Sequence, residues 1–201
     1  MVKRSRAEEF LITRKKILDA GRDLFMEKGY RSVSTREIAV IAGITQPALY
    51  HHFKDKEMLY LEVVKELTTS IQADMSELIR KNLAPVDALN EMVIMLIDKH
   101  PTNILLMIHD ILNELKEENQ FLLYTLWRDT YLRPFEHVFK QLEARAEIRE
   151  PISAERAARF FLSAISPLFS QMSKFESAEP TDVRVKETIN FILFGLCKKE
   201  V

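Results

Sequence analysis

The sequence predicts an all-α protein: a small N-terminal three-helix unit of helix-turn-helix type, then a larger helical C-terminal domain. Three observations carry this. Apolar residues recur at i, i+3, i+4 and i+7 along nearly the whole chain, the period of a helix with one buried stripe, and the alternation of a half-buried strand is hard to find. Glycine is scarce, 4 in 201 residues. One of the four, Gly43, stands between two short apolar-periodic segments, where a tight turn between helices is wanted.

The elements follow in order. Ile17, Leu18, Gly21, Leu24 and Phe25 fall on one stripe and set a first helix over 9–28, with Gly29 placed for a left-handed residue after its end. "SVSTRE" offers Ser34 as N-cap and Glu37 three residues on, a capping box opening a helix from Thr35 to Ala42. Gly43 ends that helix, because glycine takes positive φ without strain. Thr45 caps a third short helix with Pro47 in its first turn, where a missing N–H matters little. Asp55 caps a fourth, whose stripe is Leu59, Val63, Leu67, Ile71, Met75 and Leu78. "NLAP" at 82–85 is a break. A helix with Leu89, Met92, Val93, Leu96 and Ile97 inward follows it. After "HPTN", Thr102 caps a helix through Leu115; a long helix from Phe121 to Ala146 bends at Pro134. Ser153 caps a helix to Phe175 that contains Pro167, and Thr181 caps the last one, with Val185, Ile189, Ile192, Leu193 and Leu196 on one face.

Composition bounds the function classes. With 47% hydrophobic and 29% charged residues the chain can bury a sizeable core. A single cysteine, Cys197, excludes an internal disulfide and fits a reducing compartment. The start "MVKRSRAEEF" lacks an apolar signal core, and no run approaches the roughly 18 apolar residues of a membrane span. A soluble, cytoplasmic protein is expected. The net charge of -1 conceals an asymmetry: residues 1–56 carry 12 Lys/Arg against 7 Asp/Glu, and the remainder 17 against 23. A basic module on an acidic body is the pattern of a protein that meets a polyanion.

Residues 34–57 explain what the basic module does. In a helix-turn-helix, Ala39 is small where the helices nearly touch, Gly43 turns the chain, and Ile38, Ala42, Ile44 and Leu49 form a shared apolar underside. The second helix can then lie in the major groove of DNA. Gln46 is suited to an adenine edge, and Pro47 and Ala48 to a thymine methyl. Tyr50 and His51 are suited to phosphates, as are Lys54 and Lys56 as point charges, and Thr35, Arg36 and Thr45 lie at the helix openings beside them. Lys3, Arg4 and Arg6 are a candidate arm along the duplex. His52 falls on the inner side as a packing residue, and Phe53 is core.

The stretches "LDAGRDLFMEKGY" and "TREIAVIAGITQPALYHHFKDKEMLYLEV" resemble the DNA-binding domain of the TetR/AcrR family of bacterial transcriptional regulators. The resemblance covers residues 13–64 and its pattern, I-A-x-x-A-G-I-T-x-x-x-L-Y-x-H-F-x-x-K-E, is specific. One position departs from it: many relatives carry glycine where this chain has Pro47, so the base preference there is not set by the resemblance. The resemblance implies a homodimer presenting two reading helices to a palindromic operator, and release from DNA when a small molecule binds the C-terminal body. Residues 1–54 are then the DNA-binding domain and 55–201 a helical ligand-binding and dimerisation domain.

For the ligand, apolar or amphipathic, the candidate lining is Met92, Met95, Met107, Tyr124, Trp127, Arg128, Tyr131 and Phe161, with Trp127 and Tyr131 on one helix face at i, i+4. The two C-terminal helices carry wide apolar stripes, and Phe160, Ala164, Leu168, Ile189, Ile192, Leu193 and Leu196 are the candidate dimer interface. His100, His109, Asp110 and Glu114 are better read as a solvated face than as a metal site, and no cofactor is expected. A helical enzyme needs a convergent acid/base or nucleophile set, which the chain does not supply. An interaction adaptor without DNA binding has no need of Tyr50, His51 and Lys54.

Overall fold

The structure, a computed structural model, describes residues 5–99, 104–169 and 180–196. Lys3, Arg4, His100, Thr102, Met172, Cys197 and the stretch 170–175 of the expected helix lie outside them, as does the side chain of Leu196. The described residues are helical, with no β-strand among them: α1 (Arg6–Lys28), α2 (Thr35–Ala42), α3 (Gln46–His52), α4 (Lys56–Arg80), α5 (Pro85–Lys99), α6 (Ile104–Asn113), α7 (Glu117–Trp127), a π segment (Arg128–Leu132), α8 (Arg133–Ala144), α9 (Ala154–Ile165), a 3-10 turn (Ser166–Phe169) and α10 (Thr181–Leu196). They form two compact units: Met1–Leu67 with Leu106–Tyr124, and Thr68–Leu105 with Thr125–Val201. The 54/55 boundary expected from the sequence falls inside the first unit.

In the first unit α1 begins three residues earlier than expected. Ser5 accepts from the Glu8 amide at 3.1 Å, and the Glu8 carboxylate accepts from the Ser5 amide at 2.7 Å, a complete capping box. Ile17, Leu18, Gly21, Leu24 and Phe25 are buried as their period requires. Gly21 lets α4 approach closely: a Cβ there would lie 3.4 Å from Val63 Cγ2. Phe25 packs edge-on to Tyr60 at 5.0 Å, and Arg14 pairs with Glu62 at 3.0 Å. Gly29 is not left-handed helical. Its φ of 80° and ψ of 162° lie in a region essentially confined to glycine, so the chain leaves α1 extended.

In the second unit α8 and α9 pack through Phe135, Phe139 and Phe161, with ring centroids 5.2 and 5.6 Å apart, over the small Ala157 and Ala158. The bend expected at Pro134 is instead the π segment just before it. Proline has no N–H for the Thr130 carbonyl, and the turn widens so that the Arg133 amide bonds to Arg128 five residues back. Buried Thr130 donates to the Leu126 carbonyl at 2.7 Å and accepts from Gln72 Nε2 at 2.8 Å, tying the segment to α4. The helix opening at Ser153 ends at Ile165, and Pro167 sits in the 3-10 turn that follows.

Candidate nucleic-acid interface

The α2–α3 pair is shaped by two caps and one glycine. Ser34 Oγ accepts from the Glu37 amide at 3.1 Å and Thr45 Oγ1 from the Ala48 amide at 3.4 Å. The Glu37 carboxylate meets Lys28 Nζ at 2.6 Å; that contact first, and the Ser34 amide last, hold its pKa below the ordinary carboxylate value. Gly43 is left-handed, φ 70° and ψ 33°, and its amide closes α2 on the Ala39 and Val40 carbonyls. Ile38, Ala39, Ala42, Leu49 and Phe53 are buried, which fixes α3 by its underside.

That anchoring leaves Arg36, Thr45, Pro47, Tyr50, His51 and Lys54 exposed and Gln46 and Ala48 half-buried. Two expected contacts are placed differently. Thr35 is 7% exposed, and its Oγ1 accepts from Gln46 Nε2 at 2.9 Å and lies 3.0 Å from Tyr50 Oη. Lys56 lies half-buried with Nζ 4.2 Å from the centre of the Tyr30 ring. Burial lowers its pKa, against the opposing charges of Asp110 and Glu114. His52 lies against Phe10 with ring centroids 4.2 Å apart, and burial first, then Arg14 and His51, lower its pKa.

The α6–α7 turn belongs to this unit too. Asp110 is not on a solvated face: it is 3% exposed and accepts from the Tyr30 amide at 2.8 Å. Burial raises its pKa and outweighs that bond. Glu57, also buried, accepts from the Lys116 amide at 3.0 Å and Asn119 Nδ2 at 2.8 Å. These bonds span 59 to 80 residues of sequence, and no local pattern signals them. Among the described residues no three His, Cys, Asp or Glu side chains gather as a metal site.

The sequence model of bacterial regulatory proteins, tetR family, matches residues 17–63, the span that builds this interface. That span is a domain of the tetR family. It is 45% identical over 60 residues to the HTH-type transcriptional regulator AcrR of Shigella flexneri, a match taking in 30% of this chain and 28% of that one. Such matches span about a third of the length of the curated relatives. The TetR-family fold extends further. A TetR-family regulator from Agrobacterium tumefaciens superposes with a TM-score of 0.72 at 19% identity, covering 94% of this chain and 100% of that one. The Thermus thermophilus repressor FadR, solved with lauroyl-CoA, gives 0.59 at 17% identity, over 94% and 97% of the two chains.

The expected ligand and dimer residues fall as follows. Met92, Met95, Trp127, Tyr131 and Phe161 are buried in the second unit, where Trp127 and Tyr131 touch with ring centroids 6.4 Å apart. Met107 and Tyr124 belong to the first unit. An open groove of about 520 Å³ runs along the π segment and α8, lined by Arg128, Leu132, Arg133, Glu136, His137, Lys140 and Glu155. Of the expected lining it includes Arg128, which pairs with Asp129 at 3.3 Å. On α10 the expected interface stripe turns inward: Ile189 and Ile192 are buried and Leu193 half-buried. The outward aromatics are Phe191, 80% exposed, and Phe194, 61%, joined on α9 by Phe160, 55%, with Ala164 and Leu168 half-buried. The sequence reading missed the first two because α10 is apolar on two faces. No helix among the described residues is long and apolar enough to cross a membrane.

Proposed function

We propose that this chain is a cytoplasmic, ligand-responsive transcriptional repressor without catalytic activity, binding a palindromic operator as a homodimer. One observation carries the reading: α3 is held from beneath by Leu49 and Phe53 while Tyr50, His51, Lys54, Thr45 and Pro47 project to solvent. A helix so held is a rigid probe for a major groove. Arg36 and Lys54 contribute phosphate contacts, and Gln46 the polar base contact. Lys56, engaged with Tyr30, acts from within the fold.

One helix-turn-helix makes few contacts, so a second copy is needed for tight binding. The second copy covers Phe160, Phe191 and Phe194 on α9 and α10. A two-fold pairing of these helices brings the same aromatics from both protomers together, a self-complementary apolar face that needs no opposing charge. The ligand, apolar or amphipathic, is taken by the second unit at Met92, Met95, Trp127, Arg128, Tyr131 and Phe161. The lauroyl-CoA in the structure of FadR supports that chemical class.

The test is a gel shift of the full chain on randomised duplex DNA across a salt series. Affinity falls about a thousandfold or more between about 50 and 200 mM salt if six or more phosphates are neutralised. Absence of any retarded band at low salt removes the proposal and leaves an adaptor without DNA binding.

A further inference from the structure

Thr35 is the residue that the site's geometry leaves unexplained. It opens α2 beside the exposed face of α3, yet it is 7% exposed and its hydroxyl is turned inward. Oγ1 accepts from Gln46 Nε2 at 2.9 Å and lies 3.0 Å from Tyr50 Oη, so one oxygen meets a side chain from each end of α3. A hydroxyl has one hydrogen and two lone pairs, and an amide nitrogen only donates. Thr35 therefore accepts from Gln46 and has its own hydrogen left to give.

We propose that Thr35 is a positioning residue for base recognition: it accepts from Gln46, donates to Tyr50, and so fixes the orientation of both without touching DNA. The inference rests on the DNA-binding reading above and deepens it. Its chemistry follows from the direction of the chain of bonds. Gln46, with one N–H on Thr35, keeps Oε1 and its second N–H for a base edge, the acceptor and donor pair that matches adenine. Its amide cannot turn over, because a turned amide would set Oε1 against a hydroxyl already donating elsewhere. Tyr50 Oη, having accepted, keeps its hydrogen for a phosphate oxygen, which only accepts. Base contact and backbone contact are thereby joined through one buried atom, and each strengthens the other by polarisation. A threonine in direct contact with phosphate would instead stand exposed with its hydroxyl outward.

The experiment uses the full-length protein and a library of duplex oligonucleotides randomised over about two helical turns, roughly 20 bp. Sequences are selected by the wild type, Thr35→Val, Thr35→Ser and Gln46→Ala, and dissociation constants are then measured by fluorescence anisotropy at fixed salt. The wild type enriches a palindrome with one position per half-site set by Gln46. Thr35→Val, which keeps the shape and loses the hydroxyl, lowers the preference at that position about fivefold or more. Its overall affinity falls about tenfold. Thr35→Ser restores both to within about twofold. Added to Gln46→Ala, Thr35→Val leaves the base preference where Gln46→Ala alone put it. A uniform loss across all sequences with base preference intact would make Thr35 merely structural and overturn the inference. So would Thr35→Val equal to wild type in both measures. A wild type that enriches no sequence overturns the DNA-binding reading, and the inference with it. If circular dichroism shows Thr35→Val unfolded, the cycle of Gln46→Ala with Tyr50→Phe decides. Coupling of about threefold or more supports the link, and additivity overturns it.

Discussion

Phe191→Glu is expected to separate the proposed dimer without unfolding the protomer. Phe191 is 80% exposed on α10. A phenylalanine side chain offers about 200 Å² of apolar surface, so about 160 Å² here faces water in the lone protomer. A two-fold interface takes in two copies, about 320 Å², and at about 25 cal/mol per Å² the ceiling on their contribution is about 8 kcal/mol. Measured truncations of buried aromatic anchors run lower, about 2 kcal/mol or more each. Two of them give about 4 kcal/mol, or roughly a thousandfold in dimer dissociation constant. The introduced carboxylates add their desolvation and mutual repulsion. Because the residue is 80% exposed in its own protomer, helix content and melting of the monomer should change little. Sedimentation equilibrium over a concentration series reads the outcome, with Ala7→Glu on the exposed first turn of α1 as a charge control. A variant that dimerises with the wild-type constant would refute the assignment of this face, and so would a wild type that stays monomeric at tens of micromolar, a level at which even weak specific dimers form.

Backbone and burial give three more expectations. Gly43→Ala should lower stability by about 1 kcal/mol through φ alone, since a Cβ there meets nothing within 4 Å, and Gly43→Asn by less; equal losses in chemical denaturation would argue against backbone strain. Ala146, with φ 56° after α8, is the mirror case: Ala146→Gly should raise stability by about 0.5–1 kcal/mol, and a loss would contradict the assigned strain. Burial raises the Asp110 pKa above 3.8, so the native state holds that proton to higher pH than the unfolded chain. Its contribution is full below 3.8 and lost as pH rises through the native value. Relative to Asp110→Asn, wild type should therefore gain stability on acidification toward 3.8; a pH-independent difference between the two would refute the sign.

The helix-turn-helix was legible because its determinants are local. A cap at Ser34, a turn at Gly43, a cap at Thr45 and an apolar stripe every three to four residues each act within a few positions of the sequence. Ser5 is just as local, but the basic run around it reads as a tail and hides the box it forms with Glu8. What the sequence hid is long-range or two-faced. Thr35 reads as a phosphate contact until α3 brings Gln46 and Tyr50 onto its hydroxyl. Lys56 reads as a surface charge until Tyr30 covers it. On α10 periodicity finds Val185, Ile189 and Ile192 as one stripe and Phe191 with Phe194 as another, and nothing in a period decides which stripe faces the core. Packing decides it: the branched side chains fill the interior, and the larger rings remain outside.

The two buried carboxylates of the first unit bear on how the head, the α2–α3 pair, is held. A carboxylate removed from water is strongly disfavoured unless its oxygens are taken up by donors. Asp110 is met by the amide of Tyr30, immediately after Gly29, where a Cβ would lie 3.1 Å from Leu106 Cδ1 and 3.5 Å from Asp110 Oδ1. Glu57 is met by the amide of Lys116 and by Asn119, at the opening of α4. The α6–α7 turn thus grips the head at the exit of α1 and at the entry of α4, the two points from which α2 and α3 are suspended. A shift of that turn leaves two charges short of donors, so the head must move with it or lose stability. These bonds have short, directional limits, so a displacement of α6 is expected to strain them before it strains the softer apolar contacts around them.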